Sequence, residues 1–162
     1  MTLDEAVGMV RDFHRKIRAP IAGAPRLLPG HPGKTLASAT LVGKLAKELA
    51  SESDGEQDLV LCRAAMCLEE LTEWLRAHAQ QGLTAAADAI GDRFYLLIGD
   101  VVATGLPLAE IFQSVHTSNM TKMTCVRTGV GKAVKCRSFR RPEIEAILKK
   151  TSARSQHPCD LP

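Results

Sequence analysis

An all-α fold is what this sequence predicts, and three observations predict it. Apolar residues recur at helical spacing, as in Ala6, Val7, Val10, Phe13 and Ile17. Prolines and glycines punctuate such stretches at Pro20, Gly82, Gly105 and Pro107. Thr2 and Glu5, three residues apart, form the capping box that opens a helix.

The first helix runs from this cap and stops before Pro20. Residues 20–35 hold half of the prolines and read as an extended loop, followed by a helix from Thr35 to about Ala50. SESDGEQD, at 51–58, is a polar connection. A long helix from about Asp58 to Gln80 carries Leu61, Ala64, Leu68, Leu71 and Leu75 as its core stripe, and Gly82 can end it in a left-handed cap. The next helix spans about Thr84 to Thr104, closed by Gly105, with Ile90, Phe94, Leu97 and Val101 as core contacts. Gly91 and Gly99 each cost roughly 1 kcal/mol in its interior, which calls for a packing or access reason. Pro107 suits the first turn of a helix reaching Met120. After Lys122 the chain turns irregular or weakly stranded, and Pro142 opens a short helix, EIEAILKK. The tail from Ser152 has little to bury and is expected to be disordered, leaving one domain over residues 1–150.

Composition narrows the class. Apolar residues are 45% and charged residues 24%, as in a folded globular chain, and aromatics only 4%, so aliphatic side chains must build the core. No apolar run of about eighteen residues exists, which argues against a membrane span. The five cysteines are unevenly spaced with no CxxC, which suits reduced thiols in a cytoplasmic protein. The net charge of +3 does not imply nucleic acid, although basic residues crowd the region after Lys122.

Five carboxylates stand out: Glu69, Glu70 and Glu73 in LEELTE, then Asp88 and Asp92 in DAIGD. Residues three or four apart share a helix face, and two helices joined by a tight turn can aim all five at one volume. Such a cluster is unfavourable unless a cation fills it, and hard divalent cations prefer oxygen ligands. From spacing alone, a solvated acidic face and a metal site remain alternatives. GHPGKT, at 30–35, lacks the leading strand and first glycine of a phosphate loop. His14, His78 and His116 are not paired by spacing with a Ser or Cys, so triad chemistry has no support. In SNMTK, Asn119 offers a base or ribose contact and Lys122 a phosphate contact, and Lys132, Lys135, Arg137, Arg140 and Arg141 add a basic stretch. A solvated surface is the alternative for both.

The order EExxE, DAIGDRFYLLIGDVVATGLPL, IFQSVHTSNMTK and GKAVK before RRPEIEAIL resembles the all-α nucleoside triphosphate pyrophosphohydrolases, the MazG-like and phosphoribosyl-ATP pyrophosphohydrolase-like proteins with their dimeric dUTPase-like branch. DFHRKIRAP is similar to that family's first helix. The resemblance implies a helical bundle assembled as a homodimer or larger homo-oligomer. It also implies Mg²⁺- or Mn²⁺-dependent cleavage between the α and β phosphates of a nucleoside triphosphate, with dUTP or a non-standard nucleotide among the candidates. Glu70, Glu73 and Asp92 then match the metal ligands, and Glu69 the acid that handles the attacking water. Tyr95, Asn119, Lys122, Lys132 and Lys135 fall on the substrate side. Many relatives carry Glu where this chain has Ala89, and Asp88 is the candidate replacement. That departure keeps open a non-catalytic nucleotide-binding or assembly module. A nucleic-acid contact ranks below both, because the basic stretch has no interleaved aromatic beyond Phe139.

Overall fold

Thr2 caps the first helix as its sequence predicts. Its hydroxyl accepts from the Glu5 N–H at 3.2 Å, and the Glu5 carboxylate accepts from the Thr2 N–H at 2.6 Å. The computed structural model describes residues 1–53, 58–124 and 133–155. Helices α1 (Leu3–Ile17), α2 (Pro32–Glu52), α3 (Leu59–Ala79), α4 (Leu83–Thr104), α5 (Leu108–Met120) and α6 (Ile144–Ser155) make up most of it. Strands β1 (Met123–Thr124) and β2 (Ala133–Val134) pair antiparallel, with Met123 opposite Val134. The all-α expectation holds.

Local chemistry sets the helix ends. α2 starts earlier than Thr35 because Pro32 fits its first turn and the His31 ring accepts from the Lys34 N–H. GHPGKT is therefore a helix start, with the Thr35 hydroxyl donating back to the His31 carbonyl at 3.0 Å. The Asp58 carboxylate caps α3 by accepting from the Leu61 N–H at 3.1 Å. At the other end of α3 the left-handed residue is Gln81, with φ 59°, and not Gly82. The Gly82 N–H reaches the Ala77 carbonyl and the Gln81 N–H that of His78, a pattern that puts the left-handed turn one residue before the glycine. Gly105, at φ 66°, closes α4 as expected. α6 continues through Ser155, beyond the predicted start of the tail, and residues 156–162 lie outside the described residues.

Contacts group the chain into two compact units, one of residues 1–23 with 105–162 and one of 24–104. In the first, α1 packs on α5. The Ser118 hydroxyl donates to the Arg140 carbonyl, the Thr121 hydroxyl accepts from the Arg140 N–H, and the Ser114 hydroxyl accepts from the Glu143 N–H. These bonds fasten the approach to α6 onto the end of α5.

In the second unit α3 packs against both α2 and α4. Its core differs from the predicted one. Leu61, Ala64, Leu68, Leu71 and Leu75 are only half-buried, whereas Ala39, Ala46, Ala65, Thr72, Ala77, Ala86 and Ala89 are buried. On α4, Ile90, Phe94 and Leu97 are exposed, Ile90 by 55%. Small side chains let the helix backbones approach closely, so the alanine-bearing faces meet and the larger apolar stripes are left uncovered within the chain. Gly43 marks one close approach, where an added Cβ would lie 3.2 Å from the Thr72 methyl. Gly43→Val is expected to cost about 2 kcal/mol through overpacking, read as a lowered Tm. An unchanged Tm would contradict this packing.

Arg63 ties α3 to α4, donating to the Asp100 carboxylate and, at 2.8 Å, to the Leu96 carbonyl. Gly99 makes room for it, since a Cβ there would sit 2.6 Å from the guanidinium. Among the described residues nothing lies within 4 Å of a Cβ at Gly91, so no packing among them explains that glycine.

Candidate active site

The EExxE run lies in mid-α3, where helical spacing turns Glu70 and Glu73 toward one side. Glu70 is partly buried and its Oε2 is buried with no hydrogen-bond partner among the described residues, while Glu69 and Glu73 are exposed. Asp88 and Asp92 project one turn apart from α4. The five carboxylates act on one another electrostatically at Glu70. Burial raises its pKa above the usual carboxylate value, and Glu73, Asp92, Glu69 and Asp88 raise it further, in that order. Asp88 acts least. It is exposed, whereas Ala89 beside it is only 2% exposed, so the two positions face different surroundings.

α2 supplies what the sequence did not reveal. A cleft of about 450 Å³ between α2 and α3 is lined by Thr40, Gly43, Lys44 and Lys47 on one side and by Glu69, Glu70, Thr72, Glu73 and Arg76 on the other. Among the described residues, Lys44, Lys47 and Arg76 form no ion pair with these carboxylates. One cleft thus offers acids to a cation and cations to an anion. The signal in the sequence is the i, i+3 pair Lys44 and Lys47 beside the small residues Thr40 and Gly43. It goes unread until α2 is known to pack on the acidic side of α3.

The remaining predicted residues fall elsewhere. Tyr95 is 80% exposed on α4. Asn119 borders a small cavity of about 60 Å³ with Val10, Phe13, Phe112 and His116. Lys122 lines a different pocket of the first unit, about 570 Å³, together with Lys16, Arg140, Thr121 and Ser138. Three cationic residues and two hydroxyl-bearing ones make that pocket suited to an anion. Lys135 is exposed and lies 5.0 Å from the centre of the Phe139 ring. Lys132 lies outside the described residues.

Among the described residues, no three Asp, Glu, His or Cys side chains converge closely enough to form a metal-holding group as placed. No single described helix is long and apolar enough to cross a membrane.

EExxE on α3 is thus answered by Asp88 and Asp92 on α4 within an all-α chain. Residues 43–119, from within α2 to the end of α5, match the model of the phosphoribosyl-ATP pyrophosphohydrolase family. The matched stretch is just under half of the chain and contains the EExxE and DAIGD runs. A solved structure from Exiguobacterium sp. 255-15, provisionally described as an NTP pyrophosphohydrolase, is similar in fold, with a TM-score of 0.59 and 22% identity over 93% of this chain and 97% of that one. No curated protein matches the chain.

Proposed function

We propose that the chain hydrolyses nucleoside triphosphates, with dUTP or a non-standard nucleotide among its substrates, to the monophosphate and pyrophosphate. The observation that carries this reading is the Glu70 carboxylate. It is partly buried with an orphaned oxygen, ringed by four like charges, and set in a cleft that also holds three cations without ion pairs among the described residues. Such an arrangement suits an ion pair brought in from outside, namely a divalent cation with a polyphosphate. The donor set is all oxygen, which fits Mg²⁺ or Mn²⁺. Glu70, Glu73 and Asp92 would hold the ion, with Asp88 a further donor, and when bound it supplies charge neutralisation and acidifies water.

The residues of the chain do the rest. Glu69, exposed at the cleft, orients the attacking water and takes its proton as the α-phosphorus is attacked. Lys44, Lys47 and Arg76 bind the phosphates and offset the charge that builds on the leaving pyrophosphate. Incubation with a panel of nucleoside triphosphates and Mg²⁺ should release pyrophosphate and monophosphate in equal amounts. Folded protein that turns over none of them would sink the reading.

Ala89 supports a second reading, a nucleotide-binding or assembly module without catalysis. Calorimetry separates the two, since metal-dependent nucleotide binding with no product supports the module.

A homodimer is the assembly we propose. Ile90, Phe94 and Leu97 on α4, with Cys67, Leu68 and Leu71 on α3, border one largely apolar depression of about 510 Å³. A second copy would cover that surface. Phe94→Glu is expected to shift the protein to a monomer in sedimentation, and an unchanged mass would count against this face. The free thiols of Cys62, Cys67 and Cys136 suit the reducing cytoplasm.

A further inference from the structure

Beside the acidic cleft, the 24–104 unit holds a second cavity that catalysis does not use. It measures about 200 Å³ and is walled by Leu28, Pro29 and Gly30 from the loop before α2, by Trp74 and His78 from α3, and by Gln81 from the turn after it. The Trp74 and His78 rings lie 4.2 Å apart between centroids, tilted by 48°. Arg93 of α4 lies over the Trp74 ring at 5.7 Å. Flat aromatic surface and a guanidinium therefore gather at one place.

Two hydrogen-bonding groups there are unspent. The Trp74 Nε1–H is buried and has no partner among the described residues, although a buried indole N–H normally finds one. His78 Nδ1 lies 2.9 Å from the Trp74 carbonyl. A carbonyl can only accept, so Nδ1 carries the hydrogen, and Nε2 of the neutral ring is left an acceptor. One donor and one acceptor beside two aromatic rings match a nucleobase, which has a π-face and an edge carrying both donors and acceptors. Position agrees with chemistry. Trp74 and His78 follow Glu70 at intervals of four along one face of α3, so the rings begin about 6 Å along the helix axis from the metal-binding carboxylate.

We propose that this cavity is the base subsite for the nucleotide whose phosphates occupy the acidic cleft, a proposal that rests on the hydrolase reading. The base slots against the Trp74–His78 pair, with Trp74 Nε1–H donating to a base acceptor and His78 Nε2 accepting from a base N–H.

Trp74 is the sole tryptophan, so its fluorescence reports on this cavity alone. Metal-free titration with nucleoside triphosphates is expected to quench it to saturation, while inorganic tripolyphosphate, which has no base, leaves it unchanged. Equal quenching by tripolyphosphate, or none by any nucleotide, overturns the base subsite. In steady-state assays with Mg²⁺, Trp74→Ala and His78→Ala should each raise KM about tenfold with kcat nearly kept, because stacking is lost, whereas Trp74→Phe keeps KM close to wild type. Unchanged KM in both alanine variants also overturns it. The two readings fail separately: hydrolysis without quenching removes the base subsite and leaves the hydrolase, whereas base-dependent quenching without hydrolysis does the reverse.

Discussion

Glu73→Gln is expected to lower kcat about a thousandfold or more while the protein keeps its helical signal, because in the proposed site it would replace a charged cation ligand with a neutral amide. Glu73 is exposed at the cleft and makes no described hydrogen bond or ion pair, so little of the fold depends on its charge. Titration calorimetry with Mn²⁺ should show the matching loss of metal affinity. Full activity in this variant would remove Glu73 from the site.

Glu70→Gln should separate function from stability. Glu70 is partly buried and repelled by its neighbours, so the folded state holds its carboxyl proton to a higher pH than the unfolded chain does. The contribution of this group to stability is therefore fully present below the unfolded value of 4.5 and is lost as pH rises through the raised folded value. At neutral pH without metal, Glu70→Gln should raise stability, read as a higher Tm. The difference should vanish under acid conditions. Added Mg²⁺ should stabilise the wild type and leave the variant nearly unmoved, because only a binding site converts ligand into stability. A variant less stable than the wild type at neutral pH would show that Glu70 is held by a partner and not opposed by its neighbours.

These two effects rest on a cluster that could be read from the sequence. Helical spacing alone puts Glu70 and Glu73 on one face and Asp88 with Asp92 on another, and the short turn at Gln81 brings the helices together. Several helix limits were also legible, because their signals are local: the Thr2 and Glu5 capping box and the breaks at Gly105 and Pro107. Choosing the buried face was not. Leucines at helical spacing point to Leu61, Leu68 and Leu71 as core, yet close packing selects the smaller Ala65, Thr72 and Ala77, and which helix meets which face is a tertiary matter. The same limit hid Lys44, Lys47 and Arg76. Nothing in their own segments tells them apart from a solvated surface until α2 is seen to lie along the acidic side of α3.

The measurement that bears most directly on the central claim follows the oxygen. Hydrolysis of a nucleoside triphosphate with Mg²⁺ in heavy-oxygen water, with both products analysed by mass spectrometry, reports which phosphorus the water attacks. Attack at the α-phosphorus predicts a labelled nucleoside monophosphate and unlabelled pyrophosphate. Label in the pyrophosphate, or a diphosphate with inorganic phosphate as products, would contradict the assignment of this cleft.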